Sequence, residues 1–156
     1  MKTIILYATK HGAAAEIAKR IAAQFDDADV YDLKQGNIPL LDDFERVIIG
    51  SSVYAGTFRK EAKTYLAVKA DELCEKKLGL FISGMSESES DSMFTSNAPP
   101  EVVKAAVVKD ILGGIYDPEK SNFFERFIMK IITKQSGRID KINDDKINRF
   151  VEAMKA

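Results

Sequence analysis

Three short stretches carry the residue types that could do chemistry. The first is Thr9, Lys10, His11, Gly12, Ala13 and Ala14. It joins an apolar run to a segment with helical spacing. The free amides at a helix start, together with the helix dipole, favour an anion. Gly12 lets the backbone approach a phosphate closely, Thr9 adds a hydroxyl, and Lys10 and His11 are mildly electropositive. The plain alternative is a strand-to-helix turn with a permissive glycine, since a short glycine loop is a weak signal. The second stretch is Ser51, Ser52, Val53, Tyr54, Ala55 and Gly56. Small residues, a tyrosine and a glycine suit a flat aromatic ligand, although a loop tyrosine is more often an ordinary surface or core residue. The third is Ser83, Gly84, Met85 and Ser86, which offers a second glycine and further hydroxyls.

Several chemistries are excluded by what these stretches lack. The first turn has no G-K-[ST] ending and no G-x-G-x-x-G, so it is neither a Walker loop nor a dinucleotide fingerprint. Ser51-Ser52 and Ala8-Thr9 stand where a receiver domain would carry its acidic residues. There is no G-x-S-x-G, and His11 is the sole histidine, which argues against a Ser-His hydrolase. Cys74 is the only cysteine, so no internal disulfide can form and a reducing compartment fits. Cys74 is expected to be a packing or surface thiol, with no histidine near it in sequence.

The elements that must position these stretches follow from periodicity. Residues 2–8 (KTIILYA), 29–33, 46–52, 77–83 and 110–116 read as strands. Helices are expected after Gly12, where Ala14, Ile17, Ala18, Ile21, Ala22 and Phe25 make one face, and over residues 58–74, 100–108 and 144–155. Residues 84–98 and 117–143 read as least regular. Strands alternating with helices imply crossover units and a parallel sheet. Such sheets bind ligands beyond the carboxyl ends of their strands, where all three stretches fall. The 156 residues form one expected domain, with 46% apolar and 30% charged residues. A formal net charge of −1 gives no basic field for nucleic acid. No signal peptide and no membrane-spanning stretch are expected.

Residues 2–18 (KTIILYATKHGAAAEIA) and 46–56 (RVIIGSSVYAG), together with residues 123–137 (FFERFIMKIITKQSG), resemble the flavodoxin-like proteins. They are most similar to the bacterial flavodoxin-domain, menaquinone-dependent protoporphyrinogen oxidases. The resemblance covers nearly the whole chain. It implies a doubly wound five-stranded parallel sheet in order 2-1-3-4-5 with helices on both faces. It also implies an amphipathic insert at about 117–138 before the last helix.

The implied cofactor is FMN, its phosphate at Thr9 to Ala14, its isoalloxazine beside Tyr54 and edged by Ser51 to Val53 and Ser83 to Ser86. Thr9 and Gly12 match the family's T/S-x-T-G-x-T loop, while His11 and Ala14 replace two hydroxyl positions. No protein acid, base or nucleophile is needed, and no catalytic residue and no metal are expected. Three functions stay open: a flavin-dependent dehydrogenase passing electrons to a quinone, a small electron carrier docking on a redox partner protein, and a flavodoxin-like scaffold without cofactor. The low net charge favours the enzyme over the carrier. The insert carries Phe123, Phe124, Phe127, Ile128, Ile131 and Ile132 on one helical face. Either it packs as core, or it gives a peripheral contact on the cytoplasmic face of a membrane.

Overall fold

In the computed structural model the described residues are 1–84, 90–116 and 139–156. Strand β1 (Thr3–Ala8) is apolar at consecutive positions because both its faces are covered. Ile4, Leu6 and Ala8 point into one core and Ile5 into the other. Helix α1 (Ala13–Ala22) lays Ala14, Ile17, Ala18 and Ile21 on the Ile5 side. Strands β2 (Ala28–Asp32) and β3 (Arg46–Tyr54) pair in parallel on either side of β1. β5 (Lys77–Ser83) and β6 (Val108–Ile111) extend the sheet beyond β3. The order of the five parallel strands is β2-β1-β3-β5-β6. With β4 (Thr57–Phe58) set aside as a short antiparallel partner of β3, this is the anticipated 2-1-3-4-5 sheet.

Helices cover both faces. On one side lie α1 and α6 (Asp144–Lys155), the latter burying Ile147, Phe150, Val151 and Met154. The other side is covered by α2 (Lys60–Val68), α3 (Ala70–Cys74), α4 (Ser90–Asn97) and α5 (Pro100–Ala105), with Pro100 in the first turn as expected. A Cβ on Gly50 would lie 2.0 Å from Cζ of Phe81, its partner in β5. The glycine therefore gives the ring its place, and Phe81 meets Phe150 edge to face at 6.3 Å.

Four expectations are corrected. β3 runs past Ser52 to Tyr54, because the chain turns back there as a hairpin. The single helix expected over 58–74 is two helices broken at Lys69, and Phe58 is buried from β4 instead. The fifth strand covers 108–111 and not 110–116. At Gly113 the chain turns with φ +87, where a Cβ would stand 2.0 Å from the carbonyl oxygen of Lys141. Beyond it β7 (Ile115–Tyr116) leaves the sheet to pair antiparallel with β8 (Ile139–Asp140). Residues 84–98, expected to be irregular, include α4, whose only buried residues are Phe94 and Asn97. So sparse an apolar pattern does not announce a helix. The insert at 117–138 lies outside the described residues.

Candidate functional site

Parallel register brings the three stretches to one edge. Ala8 is opposite Ser51, and Ser52 is opposite Ser83. The loops after β1, β3 and β5 thus stand in a row at the carboxyl edge, beside the switch in strand order between β1 and β3. Gly84 N–H donates to Gly113 O at 3.0 Å and carries the row on to β6.

The loop after β1 is built from backbone. Gly12 is the N-cap of α1 with φ 100 and ψ −7, a conformation a Cβ disfavours. An added Cβ there would meet nothing within 4 Å, so the backbone itself faces open space. No side chain caps α1, leaving the first-turn amides of Ala13 and Ala14 directed along the helix axis toward that space. Thr9 Oγ1 accepts the Gly12 N–H at 2.9 Å and sets the curl of the loop. Ala14 is fully buried in the α1-side core. A hydroxyl at that position would have faced core packing, and what residue 14 offers the loop is its amide. His11 is half-buried and Lys10 exposed.

The loop after β3 is built from side chains. Lys10 N–H donates to Ser52 Oγ at 3.2 Å, tying the first two loops together. Ser51 is fully buried. Its hydroxyl accepts from Arg59 N–H at 2.9 Å and donates to Ser52 O at 2.8 Å. Val53 and Tyr54 pair with Phe58 and Thr57. The two residues between, Ala55 (φ 50) and Gly56 (φ 78), both have positive φ, as a type I′ hairpin turn requires. Ala55 carries that conformation with a methyl group, a local strain. The Tyr54 side chain is 45% exposed at the hairpin, and Lys10 Nζ lies 5.3 Å from its ring centroid.

The loop after β5 contributes Ser83, which is buried, and Gly84, where a Cβ would meet Val53 Cγ2 at 3.0 Å. Met85 and Ser86 lie outside the described residues. In β1, burial and the charge of Asp32 raise the Tyr7 hydroxyl above its ordinary value.

Asn97 was not expected from the sequence. It is buried, and it bonds both the Gly56 carbonyl and the Phe58 amide. The one signal was its type: an amide side chain just ahead of Ala98-Pro99-Pro100 in an otherwise unpatterned stretch. Cys74 is exposed at the end of α3 and donates to Glu101 O at 3.5 Å, a surface thiol as read from sequence. α3 leads into the start of β5, so Cys74 stands toward the amino edge, away from the three loops. A cleft of about 400 Å³ lined by Met1, Phe25, Asp26, Asp27, Arg46 and Lys155 lies at that amino edge too. Its cations are already engaged. Arg46 donates to Met154 O at 3.0 Å and, with Lys155, stands over the Phe25 ring. No group of His, Cys, Asp and Glu among the described residues is arranged to hold a metal ion.

The profile of the flavodoxin domain matches residues 4–142, nearly the whole chain and all three loops. The chain belongs to the flavodoxin-domain family. FMN is that family's cofactor. Among curated relatives, protoporphyrinogen IX dehydrogenase [quinone] from Leishmania major is 26% identical over 147 residues. The match covers 87% of this chain but only 64% of that protein, so the chain spans under two thirds of its length. The protein of the same name from Escherichia coli K12 is 24% identical over 151 residues, covering 88% of this chain and 81% of that one. Among solved structures, oxidised flavodoxin 1 from Bacillus cereus superposes with a TM-score of 0.54 at 14% identity. It covers 87% of this chain and 100% of that chain, and shows the shared fold. Among the described residues no helix is long and apolar enough to cross a membrane.

Proposed function

We propose that the carboxyl edge binds FMN and that the protein is a flavin-dependent oxidoreductase of the protoporphyrinogen dehydrogenase kind, delivering electrons to a quinone. The observation that carries the reading is the meeting, at one edge, of an uncapped helix start and an exposed tyrosine on a strained hairpin. The residues fit the cofactor. Around Gly12 there is open space, and the amides of Ala13 and Ala14 with the Thr9 loop suit a phosphate. Tyr54 offers an aromatic face, and Ser52, Val53, Ser83 and Gly84 offer backbone groups beside it. His11 adds an N–H donor where the family loop carries a hydroxyl. When bound, FMN supplies the electron chemistry. The chain's own residues hold the ring and the phosphate and limit water at the ring's face.

The named relatives support porphyrinogen as donor and quinone as acceptor. Each pair of electrons and protons taken from the porphyrinogen reduces one quinone to quinol. The quinone is apolar, and so is the porphyrinogen macrocycle apart from its two propionates. We therefore assign residues 123–137 a peripheral membrane contact, on the strength of their split apolar and basic pattern. A cytoplasmic protein resting on the inner membrane face fits these features and the single cysteine.

The test has two stages. An absorbance spectrum of the purified protein should show flavin bands. Anaerobic addition of protoporphyrinogen IX and menaquinone should then yield porphyrin and menaquinol together. Flavin bands without porphyrin formation would leave an electron carrier. Absence of flavin bands after reconstitution would leave a scaffold.

A further inference from the structure

Asn97 ends α4 with a side chain only 6% exposed, and all its bonds go to backbone. Oδ1 accepts from Phe58 N–H at 3.0 Å. Nδ2 donates to Gly56 O at 2.8 Å and to Met93 O at 2.7 Å. The partners fix which way the carboxamide faces, since an amide must meet the oxygen and carbonyls must meet the nitrogen. Two of the three bonds fix the exit of the turn between β3 and β4, at Gly56 and at Phe58 of β4, some forty residues earlier in the chain. Phe94, on the preceding turn of α4, packs edge to face on Phe58 at 6.2 Å. One helix end therefore grips the hairpin with an apolar clamp and a polar one. The strained φ of Ala55 persists only if the surrounding contacts over-determine it, and Asn97 makes such contacts at Gly56 and, two residues on, at Phe58.

We propose that Asn97 is a positioning residue for the flavin ring. It holds the Ala55–Gly56 turn, and through it the adjoining Tyr54, in the orientation that receives the isoalloxazine, without touching the cofactor. This rests on the FMN reading given above. The role needs an amide. Aspartate would keep an acceptor for Phe58 N–H but set a second, anionic oxygen against the carbonyls of Gly56 and Met93. It also acts on the ring and not on the phosphate, because the Thr9 to Ala14 loop is held by Thr9 and by Ser52 instead.

The experiment compares the full-length wild type with Asn97→Asp and Asn97→Ser. Amide exchange at Phe58 is measured without flavin. FMN and riboflavin titrations and the flavin midpoint potential are measured well below each variant's melting temperature. Both variants should bind FMN and riboflavin about tenfold more weakly, the scale of one lost buried hydrogen bond. The FMN-to-riboflavin affinity ratio should stay at the wild-type value, and the potential should shift. In Asn97→Ser, where the short side chain no longer reaches, Phe58 exchange should quicken. Lower melting temperatures with unchanged flavin affinities and potential would mean a purely structural asparagine and overturn the proposal. So would a changed affinity ratio, which would place the effect at the phosphate loop. Failure of the FMN reading looks different: the wild type itself would bind neither flavin.

Discussion

The loop after β1 and the loop after β3 stand side by side, joined by the Lys10–Ser52 hydrogen bond, yet they are held by opposite means. The first is almost wholly local. One glycine, one threonine hydroxyl three residues away and the start of α1 determine its shape. The second is held from a distance, by Ser51 reaching Arg59 and by Asn97 and Phe94 reaching back from α4. The contrast suits two tasks. A phosphate is compact, doubly charged and satisfied by amides at a helix end, so a short self-contained turn suffices. A flat ring has no such handle. Its seat must be a surface whose side chains are oriented, and orientation needs buried, satisfied polar anchors.

Breaking the remote support should have the largest effect. Phe94 is 1% exposed and closes the apolar clamp on Phe58. Phe94→Ala should cost about 3–5 kcal/mol of folding stability, seen as a lower midpoint in chemical denaturation. It should weaken flavin binding as the hairpin loosens. Unchanged stability would show that α4 is not what holds the second loop. Next in size is the local loop. Gly12→Val forces a β-branched residue into φ 100 at a cost of about 1–3 kcal/mol. Because no atoms crowd the position, the cost should come from backbone and not from packing. FMN affinity should drop by about tenfold or more, while riboflavin affinity, measured in parallel by fluorescence quenching, should hold.

The same contrast explains what was legible from sequence. The parallel sheet, α1 and the Gly12 turn were readable because each rests on neighbouring residues: apolar runs, a 3.6-residue spacing, a glycine at a helix start; the strand order was implied by the family resemblance alone. The β3–β4 hairpin was not, because Ala55 takes positive φ without being the residue type that signals it. α4 was not, because Phe94 is the only apolar residue it buries and its other buried residue is polar. The early departure of the chain at Gly113 depends on the Lys141 carbonyl, far off in sequence. Asn97 reads as a helix-ending polar residue until its partners in the hairpin are seen.

The smallest effect tests a polar group that, unlike Asn97, has no partner. The Tyr65 hydroxyl on α2 is buried without a hydrogen bond among the described residues. Burial, and then the charge of Glu72, push it up to about 12. Tyr65→Phe should be neutral or stabilising by up to about 1 kcal/mol. The folded value lies above the unfolded one, so the wild type should lose stability as pH rises from about 10 toward about 12. The variant should lack that loss. Thermal melts across that range check both statements, and a clear destabilisation by phenylalanine would mean that the hydroxyl is bonded.

The account turns on the carboxyl edge being a flavin site whose phosphate loop and ring loop are separate structures. Titration of the flavin-free protein with FMN and with riboflavin, followed by quenching of flavin fluorescence, tests this directly. The account predicts that both bind, that FMN binds more tightly, and that Tyr54→Ala weakens both by the same factor. Equal affinity for the two flavins, or no quenching by either, would contradict it.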